Sequence, residues 1–128
     1  MTGLPDGLAT RNLRQAHSEA TCLPNSSGYC NCPLESAPLE TCDVVCSDVG
    51  DGRHKPLIDL DLPVKLVPSG TPGHSHLYID KAVTFDRYVA ILKALADAGI
   101  VQWGFHDATR ERGYGSLRHP DRPKEATR

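Results

Sequence analysis

Imidazole, phenol and carboxylate side chains recur at alternate positions in TPGHSHLYID, residues 71–80. His74, His76, Tyr78 and Asp80 share one parity, and Leu77 and Ile79 share the other. In an extended chain this puts the polar groups on one face and the aliphatic groups on the reverse. Upstream, LIDLDLPVKL (residues 57–66) repeats the pattern, with Ile58, Leu60, Leu62, Val64 and Leu66 alternating with Asp59, Asp61 and Lys65. A hairpin with Val67 opposite His74 and Lys65 opposite His76 gathers all the polar groups on one surface. Three chemistries are open to that surface. It can be a solvated sheet face. It can bind nucleic acid or a nucleotide, His76 and Tyr78 stacking on bases while Lys65 holds phosphate. Or Asp59 and Asp61, two apart on a strand and pointing the same way, can share a divalent ion.

Two further groups have chemistry in them. Cys30 and Cys32 form C-x-C, and Cys42 and Cys46 form C-x3-C, with nine residues between the pairs. Four thiolates in two close pairs suit a tetrahedral zinc ion, which would supply folding energy that this apolar-poor segment lacks. Free thiols in an irregular segment are the alternative. Nucleophilic cysteine catalysis ranks below both, because no cysteine sits in an activating setting, and binding is expected ahead of catalysis. Near the C-terminus, Arg110, Arg112 and Arg118, followed by Arg122 and Lys124, surround Tyr114 and His119. Arginines beside aromatics suit phosphate contact with stacking. The acids among them, Asp107, Glu111, Asp121 and Glu125, suit a solvated, internally paired surface equally well.

These groups need elements to hold them. Residues 57–80 read as a β-hairpin around the turn PSGTPG, with Pro63 marking an edge, bend or bulge. TFDRYVAILKALADAG carries an apolar stripe at helical spacing, with Thr84 as N-cap and Gly99 at the left-handed position past the end. It predicts a helix over about residues 85–98, packed across the hairpin's aliphatic face. IVQWGF (100–105) reads as a third strand, HDATRERG as one helical turn and YGSLRH as a last strand. Residues 1–20 read at most as a short helix. Residues 21–56, with every cysteine among Pro, Ser, Asn, Gly and Asp, read as loop. The expected fold is α+β: a small antiparallel sheet on one main helix over residues 57–119, an irregular N-terminal segment (1–56) and a flexible tail (120–128).

Composition sets the bounds. With 128 residues, 39% hydrophobic, 11 Gly and 10 Pro, only part of the chain can build a dense core. The formal net charge of −2 is unevenly spread: residues 1–62 carry 4 basic and 9 acidic groups, residues 104–128 carry 6 and 4. A basic end leaves room for a local phosphate-binding patch. The N-terminus has no apolar signal-peptide core, and no stretch approaches membrane-spanning length, so a cytoplasmic chain without a membrane partner is expected.

Two resemblances bear on function. LIDLDLP, followed by PSGTPGHSHLYID, resembles the Asp-x-Asp and Ser–Gly…His–Leu–Tyr elements of the archaeo-eukaryotic primase and primase-polymerase superfamily. That resemblance implies Asp59 and Asp61 as divalent-metal ligands on a palm, and His74 or His76 as a contact to nucleotide phosphates. It covers about 25 residues, lacks a third acidic motif and has GTPGHSH in place of Gly-Gly-x-His. A longer span, about residues 57–119, is similar to small uncharacterised proteins of actinobacteria and their phages. It implies a shared module and such an origin, with no activity attached. The functions that follow are a nucleic-acid or nucleotide-binding accessory protein, a module that binds a host protein, or a metal-dependent nucleotidyl enzyme.

Overall fold

The computed structural model describes residues 3–15 and 34–122. The chain divides into two units, residues 1–59 and 60–128, each described by itself.

In the first unit, β1 (Ala9–Gln15) lies between β2 (Leu34–Ser36) and β3 (Val44–Cys46), antiparallel to both. The short helix expected within residues 1–20 is replaced by this strand. Leu8 and Leu13 are too sparse to give a helix an apolar stripe, and ladder bonds on both sides of β1 outweigh its weak local preference. Part of the loop expected over 21–56 is also stranded. Beyond β3, β4 (Asp48–Gly50) and β5 (Arg53–His54) form a hairpin with Gly50 opposite Arg53. Its two-residue loop is Asp51–Gly52, with φ of 57° and 69°. Positive φ at both central residues is the hairpin turn that Asp-Gly favours. Arg11 on β1 reaches Asp48 on β4 through two parallel bonds of 2.8 and 2.7 Å, which ties the three-stranded sheet to the hairpin.

In the second unit, β6 (Val64–Pro68) and β7 (Ser75–Ile79) form the expected hairpin. The register differs from the expected one by two residues: Val67 lies opposite His76, Lys65 opposite Tyr78 and Leu66 opposite Leu77. A shift of two preserves side-chain parity, so the division of faces is as expected. The turn sets the register. The Ser69 N–H donates to the His74 carbonyl (3.1 Å) and the His74 N–H to the Thr71 carbonyl (2.9 Å). Pro72 and Gly73 (φ 79°) stand at the centre of that last turn, the positions a type II turn assigns to them.

Helix α1 (Phe85–Asp97) begins as expected, Thr84 Oγ1 accepting from the Arg87 N–H at 3.3 Å. It ends in a Schellman motif: the Gly99 N–H donates to Ala96 (3.0 Å) and the Ile100 N–H to Leu95 (2.9 Å), with Gly99 at φ 76°. The third strand expected over 100–105 is instead the start of α2 (Trp103–Arg112), and YGSLRH forms no strand. Phe105, His106 and Thr109 turn inward at helical spacing, and Gly113 at φ 89° closes the helix. α1 packs on α2, and the buried residues are Leu92 and Ala96 from one with His106 and Thr109 from the other. The apolar stripe of α1 thus finds its partner in α2. It does not cover the hairpin's aliphatic face, where Leu66 remains 66% and Leu77 48% exposed. The α+β class stands, with small antiparallel sheets and two helices. Among the described residues no helix is long and apolar enough to cross a membrane.

Candidate ligand-binding site on the hairpin

The polar face of the β6–β7 hairpin carries Lys65, His76 and Tyr78, because directly opposed residues of an antiparallel pair share a face. The chain beyond α2 returns to this face. Gly115 meets the Tyr88 ring of α1, with Cζ and Cε2 at 3.0 and 3.2 Å from the place its Cβ would take. Only a residue without a side chain fits there, and this fixes where the C-terminal segment leaves the helices. Four residues on, HPDR turns back on itself. The Arg122 N–H donates to the His119 carbonyl (3.0 Å), and the Asp121 N–H donates to His119 Nδ1 (3.1 Å). Pro at the second turn position favours this bend. An imidazole accepting at Nδ1 carries its proton on Nε2 when neutral, leaving a donor for a ligand.

The result is a surface pocket of about 270 Å³ between the end of β6, His76 and Tyr78 on one side and Arg118, His119 and Arg122 on the other. His76 is half-buried, and Tyr78 keeps enough of its ring exposed for a planar group to lie against it. Tyr78 also borders a second, more open depression of about 400 Å³ with Lys65 and Asp80. One tyrosine therefore separates two hollows, with arginines beyond one and a lysine beside the other. That arrangement can hold an aromatic group on Tyr78 and anionic groups on either side.

The other sequence candidates lie elsewhere. His74 is exposed in the turn that precedes β7. Arg110 and Arg112 are exposed on the last turn of α2, where cations oppose the helix dipole, and Arg112 donates to Ser116 Oγ at 3.1 Å. Asp59 and Asp61 are both exposed and lie ahead of β6, which begins at Val64, so the strand expected to carry them in parallel does not include them. Among the described residues no three His, Cys, Asp or Glu side chains come together as a metal site. Of the zinc candidates, Cys30 and Cys32 lie outside the described residues. Cys42 and Cys46 are free and half-buried, Cys42 Sγ lying 3.4 Å from the Leu39 carbonyl. His119 and Arg122 belong to the basic C-terminal cluster read from the sequence, and of that cluster they and Arg118 are the members brought to the hairpin. The turn at HPDR places them there.

Among the described residues, the clearest electrostatic coupling lies in the first unit. The hydrogen bonds from Arg11 lower the Asp48 carboxyl to about 2, and the same pair, with Cys46 beside it, raises the Arg11 guanidinium. The pair ties the three-stranded sheet to the β4–β5 hairpin, so this coupling is structural. Compared with known proteins, the chain matches no family model, no curated protein and no solved structure.

Proposed function

We propose that this chain is a small intracellular accessory protein, of phage or actinobacterial origin, that binds nucleic acid or a nucleotide through the His76–Tyr78 face and the basic C-terminal turn. One observation carries the reading: His76 and Tyr78 share a pocket with Arg118, His119 and Arg122. Stacking on an aromatic ring is tolerant of base identity, and arginine forks match phosphate oxygens, so the combination suits a single strand with little sequence preference. The two hollows flanking Tyr78 give neighbouring nucleotides a place on each side of the ring. Fluorescence anisotropy with a labelled single-stranded oligonucleotide tests this. Binding should be saturable, should weaken about tenfold or more in Tyr78→Ala, consistent with about 1–3 kcal/mol per stacked base, and should fall further in Arg118→Gln with Arg122→Gln. Equal affinity in wild type and all three substitutions defeats the proposal.

A second reading is supported by the reverse of the same hairpin. Leu66, Leu77, Val64 and Ile79 form an exposed aliphatic strip, the kind of surface a host protein can cover. A chain that ignores oligonucleotides, and whose capture of one host protein is abolished by Leu66→Asp, fits this reading instead.

The cysteine spacing also supports a zinc ion on Cys30, Cys32, Cys42 and Cys46. Native mass spectrometry should show one zinc increment that a chelator removes. A metal-free mass with all five thiols alkylated in the folded chain ends that idea.

A further inference from the structure

The two edges of the β6–β7 hairpin are not equivalent. Ladder bonds at Ser69–His74 and Asp80–Pro63 show which residues of β7 point their backbone groups at β6: His74, His76, Tyr78 and Asp80, by the alternation of an antiparallel pair. The N–H and C=O groups of Ser75, Leu77 and Ile79 therefore point away, along an edge that has no ladder partner among the described residues. On β6 the outward set is Val64, Leu66 and Pro68, and Pro68 has no N–H to give. Lys65 stands on the same strand, and lysine and proline are devices that blunt an edge. β7 carries neither within its span.

The geometry points to a second copy of this chain as the occupant of the β7 edge, paired antiparallel about a two-fold axis at Leu77. That register is the one in which the outward groups match over the whole strand. Leu77 exchanges two bonds with its mate, and each Ile79 N–H meets the mate's Ser75 carbonyl. The Ile79 carbonyl already accepts from the Lys81 N–H at 2.9 Å, so the core of the pairing is these four bonds. Side chains agree with the register. Leu77 abuts Leu77 of the mate on the aliphatic face, and His76 falls opposite the mate's Tyr78 on the polar face, an aromatic cross-strand pair. At each end His74, an imidazole that can donate to a carboxylate, falls opposite the mate's Asp80. The joined hairpins form a four-stranded sheet whose outer strands are both β6, the blunted edge, so the assembly stops at two.

This inference does not rest on the ligand reading, since the edge bonds come from backbone groups, although His76 and Tyr78 take part in both. Sedimentation equilibrium of the full chain should fit a monomer–dimer equilibrium. Leu77→Lys places like charges across the axis and should be monomeric at concentrations where the wild type is dimeric, as should Leu77→Glu. Mixing the two variants should restore a dimer, because the opposite charges then meet. Leu77 is half exposed, so neither substitution burdens the monomer's core. As a second readout, the amides of Leu77 and Ile79 should gain hydrogen-exchange protection as concentration rises. A wild-type chain that stays monomeric to its solubility limit overturns the inference. So does a Leu77→Lys chain that still dimerises, or a mass series that runs past two.

Discussion

Asp48 shows how one residue can carry pH dependence without carrying function. Its carboxyl accepts two bonds from the Arg11 guanidinium and titrates near 2 in place of the ordinary 3.8. A carboxyl with a depressed folded-state value binds fewer protons when folded than when unfolded. Its contribution to stability is therefore present above the ordinary value and is lost as pH falls from about 4 through about 2. Asp48→Asn should remove that portion of the acid sensitivity. Measured as the urea midpoint of the first unit's β-structure by circular dichroism, wild type should lose stability between pH 4 and pH 2 more steeply than the variant. Parallel curves would show that the ion pair is not coupled to folding. The pair also illustrates what spacing cannot reveal, since Arg11 and Asp48 are 37 positions apart and meet only because β1 and β4 are brought together.

Local elements were legible where backbone chemistry dictates a residue type. Thr84 and Gly99 mark the ends of α1, and each does so through a named hydrogen bond. Thr84→Ala should cost about 1 kcal/mol, the ordinary loss for a threonine cap, read as a lower thermal midpoint. The two hairpin faces are legible because parity survives a two-residue shift, while the register is fixed by a type II turn at Pro72–Gly73 that composition marks as a turn without giving its type. Asp51–Gly52 was a hairpin signal of the same kind, hidden because the residues beside it do not alternate. The strand expected over 100–105 failed for a different reason. A short apolar run cannot separate strand from helix, and here only Trp103 and Phe105 of the apolar residues in that run enter α2 while Ile100 and Val101 remain in the loop before it. Gly115 was not legible at all, because only the fold brings it to Tyr88. Gly115→Ala should overpack that contact and cost about 1–3 kcal/mol. Adding Tyr88→Phe should recover part of the loss by removing the hydroxyl that the new methyl meets, and thermal unfolding of the double-mutant cycle would measure the coupling.

Across the described residues few large side chains are buried, and along the sequence charge is segregated. Among the described residues the buried hydrophobics are Leu92 and Ala96, while basic groups outnumber acidic ones over residues 104–128 in a chain of net charge −2. An acidic chain gains little from general attraction to a polyanion, so any affinity for a single strand must come from a few placed cations together with stacking. That fixes the salt dependence. With Lys65, Arg118 and Arg122 as the cations beside Tyr78, three phosphate contacts imply a slope of log K against log salt of about −2, from roughly 0.7 per phosphate on a single strand. Removing Arg118 and Arg122 as glutamines should bring the slope to about −0.7, while Tyr78→Ala should lower affinity and leave the slope near its wild-type value. The two effects separate because counterion release follows charge and stacking does not. A steep wild-type slope would mean that cations outside the hairpin face dominate. A flat one would leave the aliphatic strip and the open β7 edge as the surfaces on which this chain meets its partners.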